Sequence, residues 1–180
     1  MSFLVQLALV ILFTAKNFKT SGVKEVLDIC SSLNYQDFKI IIAGEKKQIT
    51  ALQFQLPKYQ NLADKIILLE DYKNIDELFL ISDIFVLPTY REGFPTVSLE
   101  ASSMRIPVLI TKATGCTESI IENGTGIFIN NSPDDIASKI EIYINNMELR
   151  KLHGRNGREF VCENFEEQKI WNIISEKLNY

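Results

Sequence analysis

Six short apolar runs, most of them rich in β-branched residues, constrain the fold of this chain more than any other feature. The first ends near Thr14; the others fall at residues 38–43, 66–69, 84–87, 108–110 and 126–129. Each is too short for a helix and too continuously apolar for a strand with one wet face, so each reads as a strand buried on both faces. Gly44 stops the second run and Pro88 the fourth, the proline by removing a ladder donor. Helical patterns lie between them. Ser21 is positioned to cap a helix with Val23, Val26, Leu27 and Cys30 on its apolar face. Polar or mixed helices are expected at 46–56 and 75–82, after Pro95, and at 117–122. This alternation predicts an α/β, Rossmann-like parallel sheet of about six strands with helices on both faces. Ser132-Pro133-Asp134-Asp135 is a helix start with a capping residue, proline at the first position and acids in the first turn. Two or three helices should follow to Tyr180, with Trp171, Ile174 and Leu178 as a stripe packed into the core. With no repeat, low-complexity tract or linker, residues 1–180 read as one domain whose terminal helices begin at about 132.

In an open parallel sheet, ligands sit outside the carboxyl ends of the strands. The loops after Thr14, Gly44, Leu69, Pro88 and Thr111 all reach that rim, and the Pro88 loop carries the densest chemistry. From Thr89 to Ala101, two carboxylates stand eight positions apart across a loop that becomes a helix. Gly93 permits close approach of a ligand, and Pro95 suits a helix start because its missing N–H costs nothing there. Bare amides at the helix start, near Thr96, Val97 and Ser98, suit a diphosphate. A carboxylate repels phosphate, so Glu92 and Glu100 should address the hydroxyl-rich groups on either side, where an ionised carboxylate accepts two bonds from a vicinal diol. The stretch therefore reads as a sugar-nucleotide site. Singly, a glutamate in a loop and one on a helix are ordinarily solvated charges; the ordered string separates these two from that reading.

The same stretch resembles the E-x7-E signature in the donor-binding half of GT-B glycosyltransferases, particularly the retaining family 4 enzymes. The likeness extends through residues 81–88, Glu100-Ala101, Pro107-Val108, Gly115-Cys116-Thr117-Glu118 and Asn123-Gly124-Thr125-Gly126, covering roughly residues 11–165. Tyr90-Arg91-Glu92-Gly93 with Gly115-Cys116 is most similar to members that extend lipid-linked saccharides. The resemblance implies that Glu100 binds the ribose hydroxyls and that Glu92 touches the donor sugar. It also implies that the backbone of Gly93, Phe94, Pro95, Thr96 and Val97 holds sugar and phosphates. Lys16 stands where the family usually has an arginine on the diphosphate, and Ser21 where it has a lysine, so the phosphate grip is reduced unless Lys19 turns inward. Glu92 and Lys16 thus take the catalytic positions. By the same resemblance, the backbone from Leu69 to Tyr72 brackets the nucleobase, with Tyr72 either stacked on it or a structural tyrosine, and Thr114, Gly115 and Cys116 line the sugar side. Arg105 and Glu70 replace family glycines, and the Asn123 turn looks one residue short.

Composition narrows the alternatives. The chain has 180 residues, 46% of them hydrophobic, and a net charge of −4 with no basic stripe, which argues against a nucleic-acid partner. Neither G-x-G-x-x-G nor G-x-x-x-x-G-K-[ST] occurs, which weighs against dinucleotide and P-loop folds. Cys30, Cys116 and Cys162 are odd in number and widely spaced, as reduced cytosolic thiols are. Cys30 is expected in the core, Cys116 near a helix start, and His153, the only histidine, at the surface. Residues 2–13 are apolar without a basic flank and short for a membrane span, so they read as the first strand with an apolar lead-in, a signal anchor being the alternative.

The resemblance therefore predicts a retaining transferase that moves a sugar from a nucleotide-sugar, with a UDP-sugar as the expected donor, to a saccharide or polyprenyl-linked acceptor. No metal or other cofactor is expected. The expected location is the cytoplasm, with peripheral contact at the inner membrane face. The chain begins almost at the first strand of the donor half, so an acceptor domain is expected to be absent and supplied by a separate polypeptide. The alternative is a non-catalytic nucleotide-sugar-binding remnant or subunit.

Overall fold

The computed structural model describes residues 8–62 and 64–178. The lead-in expected over residues 1–7 and the Cys30 side chain lie outside the described residues. Six strands, β1 (Leu9–Thr14), β2 (Phe38–Gly44), β3 (Ile66–Glu70), β4 (Ile84–Leu87), β5 (Val108–Thr111) and β6 (Gly126–Ile129), form one sheet in the order β3-β2-β1-β4-β5-β6. Every pairing is parallel. Ile11 is flanked by Ile40 on β2 and Ile84 on β4, and all three are completely buried. Each such side chain contributes about 1.5–3 kcal/mol relative to exposure. Edge strand β3 has one neighbour and leaves Ile67 exposed.

The helices are α1 (Val23–Ser32), α2 (Lys46–Gln53), α3 (Ile75–Leu80), α4 (Thr96–Ser103), α5 (Pro133–Asn145), α6 (Met147–Asn164) and α7 (Glu167–Leu178). The chain steps from β1 outward to β2 and β3, returns to β4 beside β1, then proceeds the other way to β5 and β6. Right-handed crossovers in opposite directions put α1 and α4 on opposite faces. The reversal parts the loops after β1 and β4, opening a crevice at the carboxyl ends of those two strands.

On the α4 face, α6 crosses closely because two of its residues lack side chains. A Cβ on Gly154 would fall 2.1 Å from the Arg105 carbonyl oxygen, and one on Gly157 would lie 3.3 Å from Ser102 Cβ. At the opposite rim from the crevice, Asp83 accepts from the Val10 amide at 2.9 Å and pairs with Arg150 on α6 at 3.1 Å. That aspartate of the β4 motif is therefore a structural tie. None of the helices among the described residues is long and apolar enough to cross a membrane.

Several expectations need correction. Ser21 does not cap α1: Gly22 takes the N-cap position with φ 84°, and a Cβ there would meet the Pro88 carbonyl oxygen at 2.2 Å. The helix expected at 46–56 ends at Gln53 and gives way to a 3-10 segment, Leu56–Leu62, that contains Pro57. Residues 117–122 form turns in place of a helix, with Ser119 donating to the Cys116 carbonyl at 2.7 Å and the Thr125 hydroxyl taking the Ile121 amide at 2.8 Å. These side-chain bonds compete with the helical ladder. His153 is buried, with Nδ1 2.8 Å from the Tyr143 hydroxyl, and desolvation holds its pKa below the ordinary value. It is a core residue, its ring edge-on against that of Tyr143 at 5.6 Å. Trp171, Ile174 and Leu178 are exposed, and α7 has no buried residue among those described. The helical period of the stripe is real, but nothing among the described residues covers it.

Candidate functional site

The crevice holds a cavity of about 550 Å³. One wall is the β1–α1 loop with Thr14, Lys16 and Ser21; the floor includes Gly44, Glu45 and Ile75; the other wall is Glu92, Phe94 to Val97, and Glu100. Both carboxylates of the eight-residue spacing therefore line one cleft. The volume lies within the range of small-molecule sites, roughly 300–1,000 Å³.

Glu92 is half-buried and oriented. Its Oε1 accepts from the Ser21 hydroxyl at 3.2 Å and lies 3.3 Å from Thr89 Oγ1. Ser21 thus holds the acid where a lysine would have brought a charge. The loop behind Glu92 is wedged by Gly115, whose φ of 84° and position leave no room for a side chain: a Cβ would fall 2.0 Å from the Gly93 carbonyl oxygen. Gly93 itself has no positive φ and open space where its Cβ would be. The close approach that it permits is toward the solvent side of the loop.

Helix α4 begins after Pro95 at the N-cap position. Of the three amides expected to be bare, Thr96 donates to the Phe94 carbonyl at 3.0 Å and Ser98 to that of Pro95 at 2.9 Å. Only Val97 of the three has no backbone partner among the described residues. The chain turns into α4 too tightly to leave all three free, so its amide contribution is narrower than the sequence pattern suggests. Glu100 is exposed by area, yet partial burial of its carboxyl, reinforced by the charge of Asp76, raises its pKa above the ordinary value.

On the opposite wall, the Lys16 loop is fastened from α2. The Gln48 carboxamide accepts from the Phe18 amide at 2.6 Å and donates to the Lys16 carbonyl at 2.8 Å. Because a backbone amide only donates and a carbonyl only accepts, these two bonds fix which end of the carboxamide is which. Phe18 is buried edge-on against Phe13, with its ring over Gly44.

The remaining candidates lie elsewhere. Lys19 lines a separate hollow with Phe18, Val23 and Tyr90, on the far side of its loop. Tyr72 is exposed outside the cavity lining and donates its hydroxyl to Glu77 at 2.7 Å, a bond that raises its pKa. Cys116 is fully buried, and desolvation, reinforced by Glu92 and Glu118, pushes its thiol up to about 11, which opposes a stabilised thiolate. Gly115 supports the acidic wall from behind. Sequence reasoning missed Gln48, Thr89, Glu45 and Ile75. Thr89, after Pro88 at the end of β4, and Ser21, before Gly22 at the start of α1, carry a detectable signal, but a lone glutamine on a polar helix carries none.

The sequence and the fold match a known group. The sequence profile described as glycosyl transferases group 1 matches residues 6–160. The chain belongs to that family. It is 28% identical over 174 residues to the capsular polysaccharide biosynthesis glycosyltransferase CapM of Staphylococcus aureus, covering 94% of this chain and 46% of CapM. The chain thus spans less than half the length of that relative. Its fold matches the crystal structure of the C-terminal domain of a glycosyl transferase group 1 family protein, LpcC, from Francisella tularensis, with a TM-score of 0.76 and 26% identity over 89% of this chain and 87% of that one. Anabaena HepE, crystallised with UDP and glucose, shares the fold at a TM-score of 0.88 and 18% identity, over 96% of this chain and 48% of HepE. The fold is accordingly that of a GT-B carboxy-terminal domain.

Proposed function

We propose that this chain is the donor-binding half of a retaining glycosyltransferase that takes a nucleotide-sugar, with a UDP-sugar favoured, and serves transfer to a saccharide or lipid-linked acceptor held by a second half. The observation that carries the reading is the single cleft in which Glu92 and Glu100 flank the start of α4 opposite Lys16. In this reading, Glu100 accepts from the ribose diol and Glu92, steadied by Ser21, accepts from hydroxyls of the donor sugar. Lys16 and the Val97 amide face the diphosphate between them. As the glycosidic C–O bond breaks, the departing diphosphate takes the proton of the acceptor hydroxyl on the face from which it leaves, and the new bond forms on that face with retention. The protein contributes position and charge stabilisation. The carboxylates serve diols, so transfer is proposed to need no metal, and chelator should leave it unchanged. The UDP and glucose of HepE support the choice of donor class. Work at the cytoplasmic membrane face fits a lipid-linked acceptor.

Calorimetric titration with UDP- and GDP-sugars tests the reading. UDP-sugar binding that Glu100→Ala weakens by about tenfold or more is expected, since bonds to a charged acceptor are worth about 1.5–3 kcal/mol. Unchanged affinity removes Glu100 from the site. A second reading, a donor-binding subunit without turnover, is favoured by one observation: among the described lining residues, Lys16 is the only cation against Glu45, Glu92 and Glu100. Turnover with an acceptor-binding half supplied separately separates the two.

A further inference from the structure

The loop that carries Glu92 also carries an aromatic ring whose cover comes from the far end of α6. Phe94, between Gly93 and Pro95, is 40% exposed, and its ring centroid lies 5.7 Å from that of Phe165. Phe165 meets Phe160 edge-on at 5.5 Å. Phe165 is the residue at which α6 ends, and its amide is fixed to the Val161 carbonyl at 2.8 Å. Its backbone is therefore held by the helix and its ring by a neighbour one turn back.

Helix α6 is in turn seated on α4 through Gly154 and Gly157. The contacts close a circuit: α4 holds α6, α6 holds Phe165, Phe165 meets Phe94, and Phe94 leads through Pro95 back into the first turn of α4. Gly115 already backs the loop at the Gly93 carbonyl and Ser21 holds Glu92. A ring contact from a helix packed on the same α4 adds a further support at Phe94, beyond both of these, and offset or edge-on aromatic pairs are worth about 0.5–1.5 kcal/mol beyond the area they bury.

We propose that Phe165 is a positioning residue for the Glu92–Val97 loop, acting through Phe94 to hold the sugar-side face of the cleft. The proposal rests on the donor-binding reading of that cleft for its functional consequence, though not for its mechanical one. Phe165 is not among the residues that line the cleft. It sets where Glu92 and the first turn of α4 stand relative to the rest of that helix, so its effect falls on the sugar end of a donor and spares the ribose end, where Glu100 sits a full turn inside the helix.

Amide hydrogen exchange on the unliganded chain tests the mechanical claim. In Phe165→Ala, the hydrogen-bonded amides of Thr96 and Ser98 should exchange about three- to tenfold faster, the fold-change that corresponds to the aromatic contribution. Amides of β1 and β2 should stay unchanged, and Phe165→Tyr should restore protection. No change at Thr96 and Ser98, or an equal rise across the sheet, overturns the proposal: the first shows no brace and the second only lost stability. Calorimetry with UDP and UDP-glucose reads the consequence. Phe165→Ala should keep UDP affinity within about twofold while reducing the advantage of UDP-glucose over UDP by about three- to tenfold. An unchanged advantage overturns the positioning role. If the parent chain binds neither probe, the donor reading fails, while the exchange result still decides whether Phe165 braces the loop.

Discussion

The two walls of the cleft are built in different ways. The acidic wall, from Thr89 to Glu100, is shaped by its neighbours in the sheet. Gly115 presses against the Gly93 carbonyl, Thr111 on β5 donates to the Thr89 carbonyl, and Ser98 donates to that of Pro95 at 2.7 Å. The cationic wall, from Lys16 to Phe18, leans on one side chain from another helix, Gln48, with Phe18 as its apolar anchor. The first wall is a consequence of how β4, β5 and α4 pack, while the second is a loop tied down by a removable clasp. Substitutions should therefore break the acidic wall through stability and the cationic wall through local order.

The largest effect is expected at Gly115. Alanine there must adopt a left-handed backbone, costing about 1–2 kcal/mol, and overpack against the Gly93 carbonyl for a further 1–3 kcal/mol or so. Urea unfolding should show a loss of about 2–5 kcal/mol. Gly93→Ala, whose Cβ meets nothing within 4 Å, should change stability by no more than about 0.5 kcal/mol. Equal costs at the two glycines would mean that Gly115 wedges nothing.

A smaller effect is expected on the other wall. Gln48→Ala removes two hydrogen bonds of about 0.5–1.5 kcal/mol each, leaving the Phe18 amide and Lys16 carbonyl to water. Stability should fall by about 1–2 kcal/mol, and affinity for UDP should fall with it because Lys16 loses its fixed place. Gln48→Glu keeps the acceptor for Phe18 but sets a carboxylate against the Lys16 carbonyl, so it should fail to restore UDP affinity. If both variants bind UDP like the parent, the clasp does not position Lys16.

This contrast also explains what was legible in the sequence. The acidic wall follows from local rules: a buried strand, a proline stop, a glycine, then a proline at a helix start. The six strands were equally plain, because burial on both faces leaves continuous apolar runs such as residues 84–87. The Gln48 clasp was not, since a carboxamide reaching across from α2 leaves no period or spacing. His153 was misplaced because a histidine on a polar helix gives no sign of its neighbours, although Gly154 and Gly157 at adjacent helical positions did signal a close crossing. The Arg105 departure acquires a physical meaning: its φ of 63° is a left-handed position ending α4, where glycine is the natural occupant. That exchange concerns the helix end, more than a turn from the cavity.

The smallest effect concerns the charge at the inner end of the acidic wall. Partial burial first, and Asp76 second, raise the Glu100 pKa above its unfolded value. Between those two values the folded chain binds more protons than the unfolded chain, so stability falls as pH rises through that window and stays lower above it. Glu100→Gln carries no titrating group and should escape this loss. In paired urea unfolding at pH 4 and pH 7, the variant should gain slightly on the parent at the higher pH, even as it binds UDP-sugar more weakly. An acid placed where partial burial disfavours its charge adds nothing to the packing of the wall at neutral pH; in the donor-binding reading, a ligand's hydroxyls donate to its carboxylate and favour the charged form. Should the parent gain on the variant between pH 4 and pH 7, Glu100 is stabilised within the chain itself, and its carboxylate is already satisfied without a diol.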